Sequence, residues 1–191
     1  VIKKESDIDK IQIPRVNIDW KTSEENFQKC LEIFGDILRV EKTGKGNFWF
    51  SIMDDFATLR GFDNLFFDVI DRPEWVHKVM DKMTEGYLSR LEQLESQKGL
   101  SLNNRDHYVG SGGVGYTDEL PQPDFDGSQV RPIDMWGFAT TQIFSEVSPA
   151  MHEEFALQYE KKFLERFGLN CYGCCEPLHK KLDIIKRNVP R

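Results

Sequence analysis

The chain has 191 residues, 39% hydrophobic and 30% charged, with 14 Phe, 4 Trp and 5 Tyr, which excludes a mostly disordered polymer. Its 25 Lys+Arg stand against 32 Asp+Glu, a formal charge of -7, and phosphate-backbone binding needs clustered positive charge, so nucleic acid is not an expected partner. No apolar run approaches the ~20 residues that span a bilayer, so no membrane partner is expected. Four Cys are too few for a disulfide scaffold, and the start has no signal-peptide pattern. These features point to a cytoplasmic protein.

Residues 1–20 are charged, poorly periodic and interrupted by Pro14, and read as an irregular entry segment. Both ends of the chain read as cut from something longer. Thr22 and Glu25 have capping-box spacing, and Phe27, Cys30, Leu31 and Phe34 form a helical stripe that Gly35 ends. The apolar runs 37–40 and 48–53, on either side of Thr43-Gly44-Lys45-Gly46, predict a hairpin.

Asp71 and Pro73 open the longest predicted helix, along which Val76, Met80, Met83, Tyr87, Leu91 and Leu94 recur until Gly99. That stripe reads as core packing. Residues 103–110 predict a strand running into Ser111-Gly112-Gly113-Val114-Gly115. A phosphate cradle would lead straight into a helix, whereas here an acidic, proline-broken stretch follows. A mobile loop beside a binding site is the expectation.

Residues 138–144 are aromatic and β-branched and read as a strand. Ser148 and Pro149 start a helix carrying Phe155, Tyr159, Phe163 and Phe167, and Gly168 closes it. A strand over 169–174 follows, then a helix from Glu176-Pro177 with Leu178, Leu182 and Ile185 on one side. This order, strand, helix, strand, helix, predicts an α/β fold with a parallel sheet and helices outside it.

Chemistry in such folds gathers at the carboxyl ends of strands, here 142–148 and 174–179. Period-two alternation places Cys171, Gly173 and Cys175 on one side of the strand and Tyr172, Cys174 and Glu176 on the other. A structural zinc site needs two paired hooks and only one is present. A thiolate-rich catalytic edge and three simply buried thiols both fit this spacing. His77 and His152, among charged residues, read as solvated or packed, and Glu153-Glu154 read as offsetting a helix macrodipole. There is no GxSxG, Walker A or HExxH pattern.

The segment 144–160, then Arg166-Phe167-Gly168-Leu169, then Tyr172-Gly173-Cys174-Cys175-Glu176-Pro177-Leu178, resembles the uroporphyrinogen decarboxylase superfamily, above all its corrinoid-dependent methyltransferase members. The likeness is most specific over 134–191, a βαβα portion. It implies a (β/α)8 TIM-type barrel, and such barrels need ~250 residues, so this single domain of 1–191 would be a fragment with open edges that favour a homo-oligomer. The implied activity is methyl transfer between a small-molecule substrate and a corrinoid or thiol acceptor, with a corrinoid protein as partner. Zinc would lower the acceptor thiol's pKa.

In this resemblance Cys174 matches a zinc ligand, and the family's neighbouring His falls on Tyr172, a departure. A further ligand would lie beyond Arg191. Glu176 or His179 would be a second ligand or a proton handler, and His107, Trp136, Gln142 and Tyr172 would line the substrate pocket. A metal-free, decarboxylase-like lyase is the enzymatic alternative, although the -7 charge opposes its polyanionic tetrapyrrole substrate. A non-catalytic binding module is the other, and the departure at Tyr172 favours it.

Overall fold

Helix dominates the structure, a computed structural model that describes residues 1–191. A 3-10 turn (Glu5–Lys10) precedes α1 (Trp20–Phe34), α2 (Ile52–Arg60), α3 (Phe62–Asp71) and the long α4 (Pro73–Ser96). Strand β1 (Trp136–Ala139) then leads through a 3-10 turn (Gln142–Phe144) to α5 (Pro149–His152), a π-helical turn (Glu153–Leu157) and α6 (Gln158–Leu164). Strand β2 (Leu169–Tyr172), a 3-10 turn (Leu178–Lys180) and α7 (Leu182–Asn188) complete the chain. No helix is long and apolar enough to cross a membrane.

The two strands pair in parallel, Trp136 opposite Leu169 and Ala139 opposite Tyr172, so β1, the helical run 149–164 and β2 form one βαβ unit. Ser148 caps that run as expected, its Oγ accepting the Met151 N–H at 3.3 Å. Phe155, Tyr159, Phe163 and Phe167 all enter the core, where they meet Phe50, Ile52 and Phe56 and the α4 residues Val76, Val79, Met80 and Met83. Phe163 stacks on Phe50 with centroids 4.6 Å apart and tilts against Phe167 at 5.1 Å. The methionines of α4 are therefore core residues.

The barrel expectation is overturned: one sheet of two four-residue strands is present, in a chain that is otherwise mostly helix and loop. In a (β/α)8 barrel successive strands are neighbours, but the backbone at Leu100 pairs with Lys45, and Phe50 of that earlier segment pairs directly with Ala139. The turn at Gln142–Phe144 ends β1 early, and Gly173, at φ +99, ends β2. That conformation suits glycine, and a Cβ there would lie 2.4 Å from Leu178 Cδ1.

The expected hairpin over 37–53 is also absent. Phe50 bonds instead to β1, its N–H to the Phe138 carbonyl at 3.3 Å and its carbonyl to the Thr140 N–H at 3.0 Å. Gly44 packs so tightly on this crossing that a Cβ would come within 2.4 Å of the Gly99 carbonyl oxygen. The predicted strand over 103–110 reduces to one antiparallel bridge, Tyr108 to Val114, with the glycine-rich residues at the tip of a small turn. At the start of this segment the Asn103 side chain, rather than a backbone ladder, bonds the carbonyls of Gly46 and Trp136 and the N–H of Trp136. Asp19, not Thr22, caps α1, accepting the Thr22 N–H at 2.9 Å. Helix α4 starts after Arg72 with no side-chain cap, so Asp71 does not serve as one.

Candidate functional site

The ends of β1 and β2 converge on a buried polar network. Thr140 and Thr141 follow β1, Tyr172 closes β2, and α5 and α6 bring His152 and Glu160 over them. Glu160 is fully buried and accepts from Thr141 Oγ1 at 2.6 Å and from the Tyr172 hydroxyl at 2.7 Å. The Tyr172 oxygen also lies 2.7 Å from His152 Nε2. Since the phenol has one proton and gives it to Glu160, His152 must donate through Nε2–H, a tautomer assigned by its partners. Nδ1 is then a bare lone pair, buried and without a partner.

Burial sets the electrostatics. It pushes the Glu160 carboxyl up to about 7, against the pull of the Thr141 and Tyr172 hydrogen bonds. Burial, helped by the charge of Lys181, pushes His152 down to about 3, so the imidazole stays neutral. Tyr172 is held well above the usual phenol range by burial and by Glu160. Once Glu160 is protonated, its carboxyl donates to the Tyr172 oxygen beside the His152 Nε2–H, which leaves the phenol proton bound to neither partner. The π-helical turn beside His152 is an insertion of the type found at functional sites.

The expected site residues divide into two groups. Tyr172 and Glu176 reach the network, Glu176 accepting from Thr140 Oγ1 at 2.8 Å and from the Cys174 N–H at 2.8 Å. His179 is exposed and lines a cleft of about 170 Å³ with Lys180, Lys181 and residues 145–149. Lys181 is buried, its ammonium bonded to the carbonyls of Phe144 and Ser145. Gln142 is exposed on the turn after β1. Trp136 lies at the opposite end of β1, donating to the Gly115 carbonyl at 3.0 Å, and His107 is exposed beside Asp106.

Strict alternation ends at Gly173, so Cys174 leaves the Tyr172–Glu176 face and its Sγ lies 3.5 Å from that of exposed Cys175. Cys171 is half-buried, and burial pushes its thiol pKa up. The zinc implied by the resemblance does not fit these residues. Catalytic zinc takes three protein ligands, no group of three His, Cys, Asp or Glu is arranged for a metal ion, and the Glu176 oxygens are already bonded.

Sequence reasoning missed Glu160 and His152 as site residues. The signal for Glu160 was its position: it lies four residues after Ala156 and four before Leu164, on a face that is otherwise core. No protein-family model matches this chain, and no curated protein or solved structure matches it either.

Proposed function

We propose that this chain belongs to an enzyme that protonates a small substrate by acid–base catalysis, the metal-free, decarboxylase-like alternative. The observation that carries the proposal is the buried carboxyl of Glu160, held near 7 and bonded to Tyr172 at the end of two parallel strands. Tyr172 is the partly exposed member of the Glu160–Tyr172–His152 chain, the other two being fully buried, and the proposal gives it the contact with substrate.

In such a reaction the carboxylate carbon leaves as CO2 and its bonding pair stays on the substrate carbon. Tyr172 O–H protonates that carbon, and the protonated Glu160 returns a proton to the phenolate oxygen. His152 holds the phenol in place as a neutral imidazole. The resemblance over 144–178 to the uroporphyrinogen decarboxylase superfamily admits this chemistry, although its likeness is greatest to the methyltransferase members.

The test is decarboxylation of a panel of small β-keto and aryl acids in deuterium oxide. Monodeuterated product formed faster than in the uncatalysed reaction, with that acceleration lost in both Glu160→Gln and Tyr172→Phe, supports the proposal, and no acceleration by the wild-type chain, or wild-type turnover in both variants, overturns it. A second reading, methyl transfer to or from a thiol with a corrinoid partner, is favoured by the adjacent Cys174 and Cys175 sulfurs. Methylcobalamin-dependent thiol methylation that Cys174→Ala abolishes and Tyr172→Phe leaves intact would support that reading.

A further inference from the structure

Away from the strand-end network, residues 45–49, α4 and α6 enclose a cleft of about 110 Å³ lined by Lys45, Phe48, Trp49, Tyr87, Arg90 and Phe163. It has four aromatic walls, two cationic groups and no acidic residue. Phe48 and Phe163 are buried, and the Tyr87 ring is fixed by its hydroxyl's bond to Asp55. Lys45 is anchored through its backbone, its N–H bonded to the Gly99 carbonyl at 2.7 Å and its carbonyl to the Ser101 N–H at 3.2 Å.

The two cations are the unusual feature. Most arginines in this acidic chain pair with carboxylates, as Arg60 and Arg72 do with Asp68 and Arg131 does with Asp124 and Asp134. The Lys45 and Arg90 side chains have neither an ion pair nor a hydrogen bond, although Arg90 is close enough that its charge adds to burial in lowering the Lys45 pKa. Like charges held together over an aromatic floor, with the Lys45 ammonium 5.8 Å from the Phe48 centroid, favour an anion between them.

We propose that this cleft binds a small aromatic carboxylate, its ring among Phe48, Trp49 and Tyr87 and its carboxylate between Lys45 and Arg90. At about 110 Å³ the cleft is smaller than the closed cavity of about 150 Å³ that holds benzene, so it takes no more than one ring, with the carboxylate at the rim where Lys45, Trp49 and Arg90 are exposed. None of its residues belongs to the Glu160–Tyr172–His152 chain, so the proposal is independent of the reaction above.

The experiment is a titration of the full chain with benzoate at fixed ionic strength, read by Trp49-dependent fluorescence and by calorimetry, with benzamide and acetate as controls. Saturable benzoate binding, weakened about tenfold or more in Arg90→Gln and in Lys45→Gln, restored in Lys45→Arg, and weak for both controls, is the expected result. Both cations are exposed, so far-UV circular dichroism should be unchanged in the variants. Absence of saturation at millimolar benzoate, equal binding of benzamide, or unchanged affinity in both Gln variants would overturn it.

Discussion

Two amphipathic helical regions of this chain meet opposite fates. The run 149–164 buries Phe155, Ala156, Leu157, Tyr159, Glu160, Phe163 and Leu164 between α4 and the strands. Helix α1 has an apolar stripe of similar spacing but no buried residue, and Trp20, Phe34, Ile37 and Leu38 in and after it remain exposed. Periodicity declares which side of a helix is apolar, and only a partner surface makes that side a core. The same contrast governs polar groups. Glu160, inside the packed region, has a strongly displaced pKa, whereas the carboxylates of α1 are solvated.

The strongest way to break this comparison is to truncate one aromatic residue in each region. Phe163→Ala removes a ring that stacks on Phe50 and touches Phe48 and Phe167, and should cost about 3–5 kcal/mol of unfolding free energy. Phe34→Ala, at a residue 44% exposed, should cost less than about 0.5 kcal/mol. Urea denaturation of both variants measures the difference, and equal losses would mean that α1 is packed in solution.

Glu160 tests the comparison through pH. Its folded pKa of about 7 lies above the ordinary 4.5, so between these values the native state binds a proton that the unfolded state does not. The Glu160 contribution to stability therefore falls as pH rises through this window and is constant below pH 4.5. Glu160→Gln should remove that slope, leaving the variant about 3 kcal/mol better off relative to wild type at pH 7 than at pH 4.5. His152 acts with the opposite sign. Its folded pKa of about 3 lies below 6.5, so its contribution is present above 6.5 and lost as pH falls toward 3. Denaturant melts of wild type and Glu160→Gln from pH 4.5 to 7.5 read both slopes, and parallel curves would contradict the buried-carboxyl assignment.

Tyr172→Phe should have a smaller effect. It deletes one hydroxyl, leaves Glu160 Oε2 and His152 Nε2 without their partner, and should cost about 1–3 kcal/mol. Thermal unfolding measures the loss. The Glu160 carboxyl carbon, followed by NMR, should titrate at higher pH in this variant, because the lost hydrogen bond favoured the charged form.

The βαβ unit was legible in the sequence because its local signals agree. Ser148 and Pro149 start the helical run, four aromatics recur along it, and aromatic or β-branched residues flank it. The resemblance then carried the reading to a barrel, and the pairings of Leu100 with Lys45 and Phe50 with Ala139 correct it. Non-local pairing of this kind leaves no periodicity to read. The site was half legible for a similar reason. Strand ends pointed to Tyr172 and Glu176, whereas His152 and Glu160 depend on how a helix is laid across those ends. The glycine that ends β2 also ended the alternation on which the assignment of Cys174 rested.

The smallest effect returns to α1. Asp19 caps it by accepting the Thr22 N–H at 2.9 Å and the Thr22 hydroxyl at 2.7 Å, so Asp19→Ala should destabilise the helix by about 1 kcal/mol. In a helix packed into the core, that loss would appear in full in global unfolding. Here no α1 residue is buried, so the helix can fray while the rest of the chain stays folded. The variant should therefore shift the global denaturation midpoint little. Amides in the first turns of α1 should exchange several-fold faster, while those of α4 and α6 keep their protection. Hydrogen exchange resolved by residue makes the measurement. A full loss of ~1 kcal/mol in global stability, with α1 and α6 exchanging together, would place both helices in one cooperative unit and end the distinction between the two regions.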